Sequence, residues 1–551
     1  MSGIADTDSV PIQRKDWIID VSQVIREPAQ WPECCIYRVP KKLRKVNQDA
    51  YTPKLISIGP LHHGSKELSD MENLKVRYFK LYCDRALKGE EDGASTAKAE
   101  EKEVQLQKRL ARIVSENREK IHNCYAERPP LKDGEFVRMI LVDATFIIEL
   151  FLRAFGDAED GSDYILSKNW LTQGIKQDLI LLENQLPFFI LEEIHKTFSK
   201  LHVIKEKTDF LTLAGSYLIP RSSYDEIKSG LKEVKHLTDL LRYLFILPLK
   251  RNVAGGGGDH PKIPNNTSNN PDKAGLNEES PSSILPNSAS KKLDETGLNE
   301  ASPSSNLPNS ASKKPDEASR NADPSAFCNL PSASNLDGAG VEFRKVKGGL
   351  FDIEFKKSMC MEWIPCLTCS WLLACLPCLK RTYLKSMEPC LEVPRFSVNN
   401  STETVFRNLM ALEQCHYPIE HTYICAYIVL LDHLIDTEKD VDLLVRKKII
   451  LNHLGSNDAV AIMINRLCEE IGDVSPYYSD LSEKLIKHYE NFWNHAMATL
   501  KSAYFANIWR GTATVVGLIV LGFTLWGFIR PYVSHERGGG KSKRANADSF
   551  T

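Results

Sequence analysis

The stretch "AYTPKLISIGPLHHG", residues 50–64, decides how the chain is read. Two adjacent histidines follow a Gly-Pro step and precede another glycine. Pro53 and Pro60 fix φ, and Gly59 and Gly64 give the backbone turns that other residues resist, so the segment reads as a loop of set geometry. Neighbouring side chains on extended backbone point to opposite sides, which places His62 and His63 badly for holding one ion. Imidazoles in such a loop satisfy backbone groups, and a structural role is expected. The competing reading is a hydrolase-like enzyme that uses the His62/His63 loop with Glu183 or Asp143. That reading requires these side chains to converge within hydrogen-bonding distance in a pocket.

Helical patterning extends to both sides of this loop. In "SDMENLKVRYFKLYCDRAL", Met71, Leu74, Tyr78, Leu81 and Tyr82 recur at helical spacing, and Ser69 and Glu72 have the separation of a capping box. The segment Lys98 to Glu127 mixes Glu, Lys and Arg like a solvated helix face. "EFVRMILVDATFIIELFLRAF" is apolar nearly all round but carries Asp143 and Glu149, which predicts a helix buried in protein. "DLILLENQLPFFILEEI" is similar, with Pro187 forcing a kink or break. Ser223 to Leu247 keeps helical period, with Pro248 as its expected end.

From about 251 to 340 the composition shifts to Gly, Pro, Ser, Asn and charge. "GLNEESPSSILPNSASKK" returns as "GLNEASPSSNLPNSASKK", a tandem duplication. So few bulky apolar side chains cannot offset the entropy of ordering the chain, and a disordered insert is expected. Order resumes at "LFDIEF", whose alternation is that of a strand, with "LEVPRFSV" as its hairpin partner. Between them "WIPCLTCSWLLACLPCL" offers Cys366, Cys369, Cys375 and Cys378. Three readings stay open there: a buried apolar insert, a membrane-dipping or acylated segment, and a zinc site whose knuckle spacing is unusual. "TVFRNLMALEQC", "YICAYIVLLDHLI", "DVDLLVRKKIILNHLG" and "DAVAIMINRLCEEI" read as successive helices, with Gly455 suited to a C-cap. Cys415, His416, His421 and Cys425 could be drawn as a metal set, but cysteines that close and open apolar helices read as core.

A long amphipathic helix from Tyr477 to Trp509 leads to "GTATVVGLIVLGFTLWGFI", residues 511–529. This run has no charge over about 19 residues, or roughly 28 Å of helix. Trp509, Gly511, Leu518, Leu521, Phe523, Trp526 and Ile529 mark a single-pass transmembrane helix at 510–530, with a basic tail at 531–551. The expected partner is the lipid bilayer, at the plasma membrane or an endomembrane. The side on which the large domain sits is left open, because insertion from the C-terminus and the basic tail argue in opposite directions.

The 551 residues carry 70 basic and 72 acidic side chains, a net charge of -2, which argues against a general nucleic-acid binder. Fourteen scattered cysteines do not form a small disulfide framework. No apolar leader opens the chain, so reduced thiols are the expectation. No Walker motif, nucleophile elbow, HExxH or kinase signature is present. No catalytic residue, cofactor or metal is assigned.

These segments together resemble the plant DUF247 family, also labelled UPF0481. "IYRVPKKLRKVNQDAYTPKLISIGPLHHG" followed by "MENLKVRYFK" is similar to its N-terminal signature. "LILLENQLPFFIL", "HLTDLLR", "LFDIEF", "TVFRNLMALEQC" and "LLVRKKIILNHLGS" follow in the family's order. The signature positions carried over are Tyr37, Pro40, Tyr51, Pro53, Gly59, Pro60, His62, His63, Gly64, Met71, Glu72, Glu183, Asn184, Gln185 and Pro187. The duplicated insert and the Cys-rich segment before "LEVP" depart from the family pattern. The resemblance implies a helical domain with a C-terminal anchor, no established enzymatic activity, and protein-protein recognition, since some members are implicated in grass self-incompatibility.

The expected architecture is mainly α: a large helical domain with a small β-hairpin, a disordered insert and one C-terminal transmembrane helix. Its parts are a flexible N-terminus (1–30), a first helical part (31–250), the insert (251–340), a second part (341–505) with the Cys-rich insert (358–390), the membrane helix and the tail. The expected function is recognition or signalling through an unidentified protein partner.

Overall fold

The computed structural model describes residues 30–87, 96–157, 163–200, 208–220, 233–255, 329–357, 389–492 and 508–539, with a few single positions between. The flexible N-terminus, the duplicated repeats and the four cysteines from Cys366 to Cys378 lie outside the described residues. The described elements belong to one unit formed by 1–257 and 324–551.

The first part is built on α1 (Lys41–Val46), α2 (Glu72–Leu87), α3 (Thr96–Glu116), α4 (Arg118–Asn123) and α5 (Asp133–Leu152), followed by α6 (Asn169–Asp178), α7 (Phe188–Lys200), α8 (Phe210–Leu218) and α9 (Leu237–Gly255). Helix α5 is its axis. It packs on α2, α3, α7 and α8. From Met139 to Leu152 nearly every side chain is buried, Asp143 and Glu149 among them. Burying a Leu, Ile or Phe contributes about 1.5–3 kcal/mol, so this helix is a main source of stability. Its charges survive because partners reach them: Lys75 meets Asp143 at 2.6 Å, and Arg85 and Arg153 meet Glu149 at 2.9 and 2.7 Å.

The second part holds α10 (Ala333–Gly338), α11 (Thr402–His416), α12 (Tyr423–Leu434), α13 (Glu438–Arg446), α14 (Asn457–Leu467) and α15 (Ser479–Tyr489). Strand β2 (Glu354–Lys356) pairs antiparallel with β3 (Cys390–Pro394), which is the expected hairpin contact. Strand β1 (Glu342–Val346) adds to the other edge of β3 in parallel. After Pro394 the chain leaves this sheet, and β4 (Phe396–Val398) pairs in parallel with β5 (Ile450–Asn452).

Several expectations are corrected. Among the described residues no helix is long and apolar enough to cross a membrane. The C-terminal run lies in α16 (Ile508–Gly539), where Leu518, Leu521, Phe523, Trp526 and Ile529 are half or more exposed and Trp509 and Gly511 stand in the first turn. The C-terminal transmembrane helix is therefore not supported.

The Ser69–Glu72 capping box does not form. A 3-10 turn, Lys66–Met71, precedes α2; the Ser69 hydroxyl donates to the Lys66 carbonyl, and Glu72 pairs with Lys75. "LLVRKKIILNHLG" is a helix followed by a strand rather than one helix. Lys448 takes a positive φ of 62°, and the β-branched Ile450 then opens β5. Gly455 precedes α14 instead of closing a helix. The charged segment breaks at Asn117 into α3 and α4, and α9 continues through Pro248. Helix α9 runs to Gly255, and residues from 329 onward are again described.

Candidate functional site

The histidine loop is held by two buried carboxylates and a buried amide. The Asp178 carboxylate, at the end of α6, accepts the N–H groups of Lys54, Leu55 and Ile56 at 2.6–3.1 Å. Asn184 Oδ1 takes the Ile58 N–H at 2.7 Å, and its amide donates to the carbonyls of Ile56 and Asp178. Asp143 Oδ2 takes the Gly59 N–H at 2.9 Å, while Lys75 Nζ bridges Asp143 Oδ1 and the Ser57 carbonyl. Residues 53–64 form neither helix nor strand, so these side chains supply the acceptors that secondary structure would otherwise give.

Gly59 has φ of +72°, and a Cβ there would lie 2.5 Å from the Gln185 carbonyl oxygen. Only glycine fits the approach of this loop to the turn between α6 and α7. Gly64 also has positive φ, at 78°.

That turn carries Glu183, Asn184 and Gln185, all buried. Gln185 donates to the carbonyls of Leu179, Leu181 and Asn184, closing the turn on itself, and accepts the Thr238 N–H. Glu183 Oε1 takes the Val39 N–H at 2.7 Å and an Arg44 nitrogen at 2.5 Å. Its Oε2 faces His62 Nε2 at 3.3 Å and Arg38 at 3.8 Å, as ion-pair contacts without hydrogen-bond alignment. Burial pushes the Glu183 pKa up, but His62, Arg44 and the Val39 N–H outweigh it, and the net direction is down.

Asp143 and Lys75 both shift upward: burial raises the carboxyl, and the ion pair more than offsets the burial that would lower the amine. The two directions disagree about which form the pair prefers. We favour the charged pair, because only a carboxylate accepts both the ammonium and the Gly59 N–H at once. Asp178 is raised by burial, against its three N–H donors.

The histidines diverge as expected, His62 to Glu183 and His63 to Glu135 at 3.8 Å on the first turn of α5. His62 and Glu183 do converge, yet Glu183 is 1% exposed and Arg44 occupies its other oxygen. The hydroxyl of Ser57 and Nε2 of His62 each lack a hydrogen-bond partner, so they are not bonded to each other and no Ser–His–Glu relay is assembled. Asp143 points at Lys75 and Gly59 instead.

The remaining signature residues are also packing groups. Tyr37 bonds His416 Nδ1 at 3.0 Å and the Cys34 carbonyl at 3.1 Å. Tyr51 is buried near the Arg44 guanidinium. Pro40 precedes α1, Pro53 opens the loop, Pro60 accepts the His63 N–H, and Met71 ends the 3-10 turn before Glu72. Pro187 breaks the chain before α7, as expected. The four residues Cys415, His416, His421 and Cys425 go to different neighbours. Cys415 packs on the Tyr37–Tyr51 core, His421 meets the Tyr423 hydroxyl, and the Cys425 N–H donates to Glu413. Among the described residues no group of three or more potential ligands could hold a metal.

Residues outside those anticipated complete the framework. Asn408 on α11 accepts the Leu182 N–H and donates to the Ala50 carbonyl, tying the second part to the signature loop. Arg242 meets the buried Glu413 at 2.9 Å and stacks on Tyr417, whose hydroxyl donates to Asp239. Lys75 had a readable signal, since it shares helix spacing with Tyr78 and Tyr82 and so falls on the apolar face of α2.

A different region stays open. A cavity of about 490 Å³ lies beside the start of α7. Its wall includes Phe188, Phe189 and Leu211, its rim Glu33, Glu192 and Lys235, and Cys35 and Cys124 also line it. The Lys120 ammonium sits 4.0 Å over the Phe189 ring.

A family model described as a plant protein of unknown function, DUF247, matches residues 36–523. A UPF0481 protein of Arabidopsis thaliana is 26% identical over 533 residues, covering 94% of this chain and 91% of its own length. A second UPF0481 protein of that plant is 22% identical over 519 residues, 88% of each chain. No solved structure matches. The chain therefore belongs to the DUF247 family of plant proteins, whose function is unknown.

Proposed function

We propose that this protein is a recognition module that binds another protein, with the cavity beside α7 receiving one side chain of the partner. One observation carries the reading. The polar signature residues are turned inward onto backbone and ion-pair partners, whereas the cavity keeps an apolar wall under a charged rim. Apolar walls with a few placed charges are the anatomy of specific recognition sites, and about 490 Å³ falls within the range of such pockets. Phe189 and its cation–π partner Lys120 supply an aromatic anchor.

The enzyme reading finds little support. His62 and Glu183 face each other, but neither lines the cavity, and among the described residues no hydroxyl or thiol is hydrogen-bonded to His62 Nε2.

The test uses full-length protein as bait in plant extract, alongside Phe189→Ala and a distant surface substitution, Lys447→Ala. A partner kept by wild type and Lys447→Ala but lost by Phe189→Ala supports the cavity. Equal capture by all three, or a hydrolytic activity abolished by His62→Ala, contradicts the reading.

A further inference from the structure

The N-terminal segment reaches α4 through an isolated parallel bridge. Ile36 pairs with Tyr125; the Ile36 N–H donates to the Cys124 carbonyl and its carbonyl accepts the Ala126 N–H, each at 2.9 Å. Beside the bridge, the Cys35 N–H also donates to the Cys124 carbonyl at 2.9 Å, which brings these two residues together. Side chains alternate along an extended segment. Accordingly Cys34 packs in the core with Tyr37, Val39 and Leu182, whereas Cys35 lines the cavity together with Cys124.

Bond lengths together with that 2.9 Å contact hold the two Cα atoms within about 6.8 Å, the upper end of the range disulfides use. The two thiols lie within hydrogen-bonding reach of one another. In the reduced state the Cys124 thiol donates to the Lys120 carbonyl at 3.2 Å. Both residues are otherwise buried, so the cavity is the route by which a small reagent reaches them.

We propose that Cys35 and Cys124 form a reversible redox pair that a hydroperoxide, entering through the cavity, converts to a disulfide. This inference does not depend on the recognition reading. In the first step the Cys124 sulfur attacks a peroxide oxygen. The O–O bond breaks, Cys124 becomes a sulfenic acid and, for hydrogen peroxide, one water leaves. In the second step the Cys35 sulfur attacks the Cys124 sulfur. The S–O bond breaks, the S–S bond forms and a second water leaves. The two sulfurs give up two electrons together and the peroxide takes them. Contact with the Cys35 thiol lowers the Cys124 pKa, against burial, and Lys120 and Lys235 assist, which favours Cys124 as the first attacker. The product would fasten residues 34–39, which deliver the Val39 N–H to Glu183, onto the end of α4.

The experiment treats folded, fully reduced full-length protein with increasing hydrogen peroxide, blocks remaining thiols with an alkylating reagent, and maps cross-linked peptides by mass spectrometry. The expected result is that Cys35 and Cys124 lose alkylation together, in equal amount, as one cross-linked pair, and that dithiothreitol restores both. Cys35→Ser should then leave Cys124 trapped as a sulfenic acid that dimedone captures. The mapping on wild type needs no variant, so misfolding of Cys35→Ser does not protect the proposal. It is overturned if either cysteine stays alkylated while other thiols oxidise, if Cys35 or Cys124 joins a different cysteine, Cys34 included, or if sulfinic acid accumulates without the cross-link.

Discussion

The loop at 53–64 and the cavity beside α7 both draw on the signature segments, and they are built in opposite ways. In the loop, the N–H groups of Lys54, Leu55, Ile56, Ile58 and Gly59 find acceptors on buried Asp178, Asn184 and Asp143. Around the cavity, charged and aromatic groups border space, with two thiols at its wall. A network of buried polar groups that each hold a backbone N–H fixes one conformation of the loop. Open space bordered by mixed chemistry can take a partner. The sequence motif that looks most like a reactive site is therefore scaffold, and the open space lies beside the Pro187–Phe189 end of another signature segment.

This contrast can be broken most forcefully at the Lys75–Asp143 pair. Asp143→Ala strands a buried ammonium and the Gly59 N–H, and should cost about 3–5 kcal/mol in urea denaturation. Replacing both residues with apolar ones, as in Lys75→Met with Asp143→Leu, should recover much of that loss. A single substitution that costs under about 1 kcal/mol would show the network to be dispensable.

Next comes acid. His195 and His236 are pushed by burial down to about 4, from an ordinary 6.5. Both stay neutral in the folded chain, where Nε2 of His236 contacts the Cys35 carbonyl and Nδ1 accepts the Asp239 N–H. The unfolded chain takes protons first on acidification. Their contribution is complete above 6.5 and is lost as the pH falls toward 4, by about 3 kcal/mol for each. Urea midpoints measured across that window should fall, and His236→Gln should flatten the slope.

Gly59→Ala should cost about 2 kcal/mol or more, since the new Cβ meets the Gln185 carbonyl and the φ is positive. Glu183→Gln keeps an acceptor for the Val39 N–H but loses charge against Arg44 and His62, and should cost about 1–3 kcal/mol. The depressed Glu183 pKa means its stabilisation is present above the ordinary carboxylate pKa and lost as the pH falls through the folded value, so the Gln variant should lose least relative to wild type in acid. The smallest effect belongs to the cavity. Phe189→Ala should change stability by about 1 kcal/mol or less while removing partner capture.

Much of the scaffold was legible in the sequence because its signals are local. The apolar run of α5, the break at Pro187 and the divergence of His62 from His63 follow from periodicity and backbone chemistry within a few residues. What escaped was long-range or conformational. Nothing near Asp178 announces that its carboxylate will collect three N–H groups from a loop more than a hundred residues earlier. The positive φ of Lys448, which ends a helix and starts β5, leaves no mark in composition. The parallel edge strand β1 depends on a partner beyond the Cys-rich segment. Cys35 and Cys124 are unremarkable until the bridge at Ile36 aligns them. The C-terminal run carried a strong compositional signal, yet among the described residues no helix is long and apolar enough to cross a membrane.

Amide hydrogen exchange at Leu55, Ile56, Ile58 and Gly59 reads the central claim directly, because these N–H groups sit in no helix or strand. If buried side chains lock the loop, their exchange should be as slow as that of α5 and should follow global unfolding. Exchange at the rate of an open surface loop, with α5 still protected, would contradict a structural role for the signature residues.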